Sequence, residues 1–376
     1  MPVDKPKLSA IDGDKLEDGT GLCISGGGYR AMLFHAGAIF RMNELGLIKP
    51  LKRVSSVSGG SMTAAALAVA WPKLTFDAKG VATNLKDLFL KPLIAQSEDS
   101  IDVGSALVGI LPLVTAADMA AKSYDKHIAK NVKLASLPTK PLFVFNATNL
   151  MTGAVMRFRP DYIADHHIGV IKGVDLKLSR AIACSAAFPP FLSPSDVDLS
   201  DGTIAAADKG HLARAPFTQK AVLTDGGVYD NMGTETVWKR LRTVFVSNAG
   251  KPFGYDETPA RDWLQQSLRV IDILMDQSEN LRERILADAY RSGARTGAMW
   301  GLTTGLNHPE DMPKMLTKAE YVAAQEVPTR LSKMTRAQQN LILKAGYAHA
   351  ASRIRKYFTP DKGGPADRPD GAPPSV

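Results

Sequence analysis

The sequence predicts an α/β protein: a mainly parallel central sheet covered by helices on both faces, three layers in the order α/β/α, with further helices toward the C-terminus. One local pattern, met twice, carries that prediction. Gly21–Ser25 is a short apolar run that breaks into Gly26-Gly27-Gly28, after which Met32, Leu33, Ala36, Ile39, Phe40 and Leu45 recur at helical spacing. Val54–Val57 is a second β-branched run, breaking at Ser58-Gly59-Gly60 and feeding the apolar stretch Met62–Trp71. Strand, glycine turn and buried helix in succession make a parallel βα unit. A hydrophobic share of 45% over 376 residues supports one large core.

Along the chain, residues 1–19 are polar and aperiodic and predict a flexible N-terminal arm ahead of the main α/β domain over 20–300. Gly46 is a natural stop for the first helix. Between Leu74 and Leu137 the pattern is helix-rich and irregular. Inside it Val103–Val114 is uncharged but broken by Gly and Pro, and shorter than the ~20 residues of a spanning helix. It reads as a lid or interfacial element beside the site, or as a plain core segment. Leu142–Thr148 is a strong strand, Met151–Ala154 a turn and Val155–Phe158 a returning strand. Leu178–Ala187 is helical and ends before Phe188-Pro189-Pro190-Phe191, because proline pushes its predecessor out of helical geometry. Ala221–Thr224 is a strand that runs straight into Asp225-Gly226-Gly227, and Thr243–Ser247 repeats the theme.

After Gly254, Leu264, Leu268, Ile271 and Met275 mark one face of a long helix reaching Tyr290. A helical extension over 301–359 follows, its last helix opened by the capping-box pattern Thr335-x-x-Gln338. Leu343, Tyr347, Ala350, Ile354 and Phe358 form its apolar stripe, ringed by Lys344, Arg353, Arg355 and Lys356. Such a helix docks on the core or lies on a membrane surface. Residues 360–376, rich in Pro, Gly and Asp, predict a disordered tail.

Only Cys23 and Cys184 are present, and the first twenty residues lack the apolar core of a signal peptide. Both facts point to a cytoplasmic protein without a disulfide framework. The net charge of +8 suits an anionic partner. No Lys/Arg block interleaved with aromatics is present, which argues against nucleic acid and leaves peripheral contact with an anionic membrane. Oligomeric state is not legible.

Ser58 sits where a nucleophile elbow would place it, with small residues two places before and after, Ser56 and Gly60. A Ser/Gly-rich loop without chemistry has the same spacing. Gly26, Gly27 and Gly28 open a helix after a strand, which suits backbone N–H groups aimed at an anion or oxyanion. The run lacks Gly-x-Gly-x-x-Gly spacing and no Gly-Lys-Ser/Thr follows, so a cofactor-free site fits better than a nucleotide cradle. Arg30 is placed either to hold a phosphate head group or to brace the loop by ion pairing. Of the seven histidines, His35, His127, His166, His167, His211, His308 and His349, none occupies a strand-end loop flanked by glycine. Asp225 does stand at a strand end, and Gly226 and Gly227 free the backbone to aim its carboxylate.

Together, Ser25-Gly26-Gly27-Gly28-Tyr29-Arg30-Ala31, Ser56-Val57-Ser58-Gly59-Gly60 and Asp225-Gly226-Gly227 resemble the patatin-like phospholipases and the cytosolic phospholipases A of the same superfamily. The resemblance runs from about Gly21 to Gly254 and includes Ala183-Cys184-Ser185-Ala186-Ala187-Phe188-Pro189-Pro190. It implies a patatin-like α/β/α fold and a Ser-Asp dyad, with Ser58 as nucleophile and Asp225 as base. It implies an oxyanion hole at Gly26, Gly27 and Gly28, supported by Arg30, Gly59, Gly60, Gly226 and Gly227. The activity it implies is hydrolysis of phospholipid or neutral-lipid acyl esters through an acyl-serine, with no metal or cofactor in the chemical step. Two alternatives stay open: an acyltransferase using the same acyl-enzyme, and a non-catalytic lipid- or anion-binding protein. Ser56 departs from the usual elbow glycine, and no calcium-binding lipid-docking domain is visible. Membrane contact would then rest on Val103–Val114 and basic surface residues.

Overall fold

Both expected βα units are present in the computed structural model, which describes residues 16–101, 115–306, 308–365 and 368–376. Strand β1 (Glu17–Ile24) is buried on both faces over its last four residues and turns directly into helix α1 (Gly28–Glu44). Strand β2 (Leu51–Val57) turns at Ser58 into α2 (Gly59–Ala70), an alanine-rich helix buried almost throughout. Helices α3 (Lys91–Ser97) and α4 (Ala116–Tyr124) follow. The expected Val103–Val114 segment falls outside the described residues.

Strand β3 (Leu142–Asn149) is wholly buried, and β4 (Val155–Phe158), β5 (Ile163–Asp165) and β6 (Gly169–Ile171) extend the sheet outward from it. Helix α5 (Leu178–Ser185), β7 (Ser195–Asp198) and β8 (Lys220–Asp225) lead to two short helices, α6 (Gly227–Asp230) and α7 (Glu235–Trp238). Strand β9 (Leu241–Asn248), the long α8 (Trp263–Arg291) and β10 (Thr296–Gly301) complete the parallel part, and α9 (Lys318–Glu326) and α10 (Arg336–Tyr357) close the chain's helical inventory.

Among the described residues the sheet has ten strands, and the parallel set β10-β9-β1-β2-β3 forms one side of it, with β10 at the edge. Beyond β3 the direction alternates through β4, β5 and β6. The layers follow from side-chain alternation. Leu22, Ile24 and Phe245 point into the larger core under α1, α2 and α10, while Cys23, Val244 and Val246 point into a smaller cluster with Met232, Val237 and Leu286.

Register explains how β8 joins. Along β3, residues 142–146 pair with β2, ending at Val57↔Asn146, while residues 147–149 pair antiparallel with β8, ending at Ala147↔Asp225. Since β4 occupies β3's other edge, β2 and β8 lie on the same edge and meet end to end. Asp225 stands at a strand end as expected, on an antiparallel strand that arrives from the direction opposite to β2.

The C-terminal helix docks on the core rather than lying open. Thr335 and Gln338 cap it reciprocally, Thr335 N–H to Gln338 Oε1 at 2.9 Å and Gln338 N–H to Thr335 Oγ1 at 3.3 Å. Helices α1 and α10 cross so closely that a side chain on Gly37 would strike the Leu343 carbonyl, and one on Gly346 the Phe34 carbonyl.

Both ends of the described chain contact the body. Glu17–Gly19 are part of β1, because Glu17 N–H donates to Arg240 O at 2.8 Å alongside β9. The tail, expected to be disordered, is held by the buried Arg41. Its guanidinium donates to the carbonyls of Arg368 (2.8 Å) and Pro369 (3.2 Å) and pairs with Asp370 at 3.0 Å. A guanidinium buried in α1 needs acceptors, and the tail's backbone supplies them.

Candidate active site

Ser58 connects β2 to α2 at φ 51°, ψ −120°. A side-chain-bearing residue at positive φ is strained by roughly 1–3 kcal/mol, so surrounding bonds must hold it. Ser58 N–H donates to both the carbonyl (3.2 Å) and the hydroxyl (3.0 Å) of Ser185 at the end of α5. Gly60 N–H donates to Ser25 O at 3.1 Å. The start of α2 is pressed against the glycine loop: a side chain on Gly59 would strike the Gly28 carbonyl, and a Cβ on Gly60 would lie 2.5 Å from Ser25 O. Ser56 is accommodated at the elbow because its hydroxyl donates to Val144 O (3.2 Å) and accepts from Ser61 Oγ (3.0 Å).

Asp225 ends β8 and is 2% exposed. Its backbone is tied to the segment that ties Ser58: Asp225 N–H donates to Ala187 O (2.9 Å) and Gly226 N–H to Ser185 O (3.2 Å). Gly226 leaves no room for a side chain, which would strike the Asn146 carbonyl. Oδ1 accepts from Gly227 N–H at 2.7 Å. Burial pushes the carboxyl pKa up to about 6, against the stabilising pull of the Gly227 N–H and the neighbouring Ser58 hydroxyl. That hydroxyl favours the charged form, and Oδ2 is buried without a hydrogen-bond partner. The serine and the carboxylate are therefore adjacent, with one carboxylate oxygen unused.

The loop Gly26–Gly28 runs alongside. A Cβ on Gly26 would lie 3.1 Å from Ser58 Cβ, while Gly27 (φ 133°) and Gly28 (φ 60°) adopt conformations that favour glycine. Among the described residues no hydrogen bond engages the N–H groups of Gly27 and Gly28, which stand at the positive end of α1. Gly26 departs from expectation: its N–H already donates to Asn231 O at 3.0 Å, so it provides clearance beside Ser58 rather than a donor.

A family model described as Patatin-like phospholipase matches residues 22–238, a span that contains all three of these turns. The chain belongs to the patatin-like phospholipase family.

Among solved structures, human GIVD cytosolic phospholipase A2 matches 92% of this chain and 62% of its own length at 11% identity, TM-score 0.45. The same human protein in complex with methyl gamma-linolenyl fluorophosphonate matches 89% of this chain and 57% of its own, at 14% identity and TM-score 0.49. VipD from Legionella pneumophila matches 89% and 66% at 16% identity, TM-score 0.36. The chain thus spans about 60% of the length of the human structures. No curated protein matches it.

In this chain Arg30 braces the loop, but not through an ion pair. Its buried guanidinium donates to Val327 O (2.8 Å) and Ala249 O (3.0 Å), and burial lowers its pKa to about 10. With these donors turned inward it does not present a phosphate site. The histidines lie elsewhere. His35 and His349 are buried and pushed down to about 3; near the β5–β6 turn His167 packs against His166 and, edge-on, against His211; His127 meets Asp99 at 3.0 Å. His35 supports the site indirectly, bonding Ser25 O (2.9 Å) and Ser247 Oγ (2.8 Å). Since the Ser25 carbonyl only accepts, Nε2 carries the proton and Nδ1 accepts from Ser247.

Two supporting residues were missed by reading the sequence. Ser185 joins the Ser58 and Asp225 turns, and its hydroxyl also donates to Asn146 O at 2.6 Å. Asn231 sits between Gly26 and Gly227 and donates to Glu279 at 2.9 Å. Ser185 stands in the Ala183–Pro190 segment that carried the resemblance, whereas nothing in its neighbourhood singles out Asn231. Among the described residues no group of three or more His, Cys, Asp or Glu is arranged to hold a metal ion, and no helix is long and apolar enough to cross a membrane.

Proposed function

We propose that the chain is a lipid acyl hydrolase of phospholipase A or lysophospholipase type, acting through a Ser58–Asp225 dyad. Asp225, ionised above pH ~6, accepts the Ser58 proton as Oγ attacks the ester carbonyl. The oxyanion that forms is stabilised by the N–H groups of Gly27 and Gly28 at the start of α1. Collapse releases the alcohol or lysolipid, which takes the proton back from Asp225, and leaves an acyl-Ser58. Water, deprotonated by Asp225, then attacks the acyl group, and the fatty acid leaves as Ser58 regains its proton.

The observation that carries this reading is the buried carboxylate beside a strained serine, with one oxygen left without a partner and no histidine in contact with either. The substrate is a phospholipid or neutral lipid, met at the surface of a membrane by a cytoplasmic protein that binds it peripherally. A fluorophosphonate probe tests the chemistry: intact-mass analysis of the wild type should show one adduct on Ser58 and none in Ser58→Ala. Labelling that persists in the variant would refute the assignment.

A further inference from the structure

Helix α8 is 29 residues long, yet only Leu286 and Ala289 within it are buried. One side is anchored next to the site. Met275 Cε lies 3.1 Å from where a Cβ on Gly227 would stand, and Glu279 accepts from Asn231 (2.9 Å) and Asn248 (2.6 Å). Nearer the C-terminal end, the Tyr290 hydroxyl donates to Val244 O at 2.8 Å. The opposite side is apolar. At 100° per residue, Trp263, Val270, Leu274, Leu281 and Ile285 fall within an arc of about 60°. All five are exposed, Trp263 by 78%, Leu274 by 64% and Leu281 by 58%. The stripe runs for about 33 Å along the helix.

Charge is sorted with equal care. Asp272, Asp276, Glu279 and Glu283 all lie on the half of the helix turned away from the stripe. The stripe's flanks carry Gln266, Ser267, Gln277, Ser278 and Arg284; the one acid there, Asp288, is paired with Arg291 at 2.6 Å in the last turn. In the segments that hold Asp225, Phe188, Phe191 and Val228 are exposed as well.

We propose that the outer face of α8 docks on a phospholipid surface, the helix lying in the interfacial plane with Trp263 at head-group level. With Asp288 neutralised by Arg291 and Arg284 beside the stripe, no unpaired acid there opposes the phosphates of such a surface, and an amphipathic indole at one end suits the boundary between acyl chains and water. Docking there would hold the Asp225 turn, which meets α8 at Met275 across the helix from the stripe, one helix thickness (~10 Å) from the layer that supplies substrate. The assignment rests on the lipid hydrolase reading, so its test avoids turnover.

The full chain carrying Ser58→Ala is sedimented with phosphatidylcholine vesicles and with phosphatidylcholine–phosphatidylglycerol vesicles, with and without Leu274→Asp plus Leu281→Asp. Both leucines are exposed, so the fold is not at risk, and Leu274→Gln plus Leu281→Gln repeats the test without added charge. The expected result is vesicle binding by the parent and a loss of about tenfold or more in both double variants. Unchanged binding in the variants, or none in the parent, overturns the proposal. A parent of twice the monomer mass by light scattering, halved by the same substitutions, also overturns it and assigns the stripe to a second copy. Hydrolysis of a dispersed short-chain ester by wild type is the separate control: its absence would count against the enzymatic reading and leave the binding result standing.

Discussion

The turn after β2 and the turn after β8 converge on Ser185, yet they are held in different ways. The Ser58 turn is the end of a central parallel strand, strained at positive φ and wedged between Gly28 and Ser25. The Asp225 turn belongs to a strand that overlaps β3 by only three residues, and its carboxylate is strained electrostatically rather than sterically. One turn stores its cost in backbone geometry and the other in a buried charge. A sheet that reverses direction at β3 lets two strand ends face each other along one edge, a juxtaposition that a purely parallel sheet does not offer.

If the two turns serve one reaction, disabling either should remove most of it, and disabling both should remove little more. The largest effect is expected for Ser58→Ala, a fall in kcat/KM of about 10⁴-fold or more, with the double variant Ser58→Ala plus Asp225→Asn no slower. Additive losses in that double variant would separate the turns into independent roles. Asp225→Asn alone should cost about 10³-fold, and wild-type kcat/KM should rise with pH through about 6 as the base ionises.

Stability moves the other way. The folded protein holds the Asp225 proton up to about pH 6, whereas the unfolded chain releases it near 3.8. The Asp225 contribution to stability therefore falls as pH rises from about 4 to 6 and is flat above. The neutral Asp225→Asn should be more stable relative to wild type at pH 8 than at pH 4, by up to roughly 3 kcal/mol, measured by urea unfolding at both pH values. A smaller effect is expected at the shared anchor: Ser185→Ala removes one of two acceptors of Ser58 N–H and should lower kcat about tenfold and stability by about 1–2 kcal/mol. Smallest of all, His167→Gln should leave kcat/KM within about twofold, because that ring packs with His166 and His211.

The turns were legible in the sequence because close backbone approach permits few residue types. Gly59, Gly60 and Gly226 are demanded by neighbouring carbonyls, and that demand shows as Ser-Gly-Gly and Asp-Gly-Gly after apolar runs. Direction was not legible: β8 has the same local pattern as a parallel strand, and only its pairing with Ala147–Asn149 reveals the reversal. Strand β10 (Thr296–Gly301) escaped notice because two glycines, Ala298 and Met299 give it little β-propensity; parallel pairing with β9 and the burial of Trp300 make it a strand. The roles of Gly26 and Arg30 hung on which acceptors lie nearby, Asn231 O, Val327 O and Ala249 O, and all three are distant in sequence.

That dependence on distant carbonyls sets where the molecule can be divided. The span shared with the family stops at residue 238, but β9, which flanks β1, begins at Leu241, and both acceptors of Arg30 lie farther on. A fragment trimmed to the shared span would leave a central strand with a raw edge and a sunken cation with nothing to bind. The expected yield is an insoluble polypeptide, and the smallest useful expression unit has to reach past Val327.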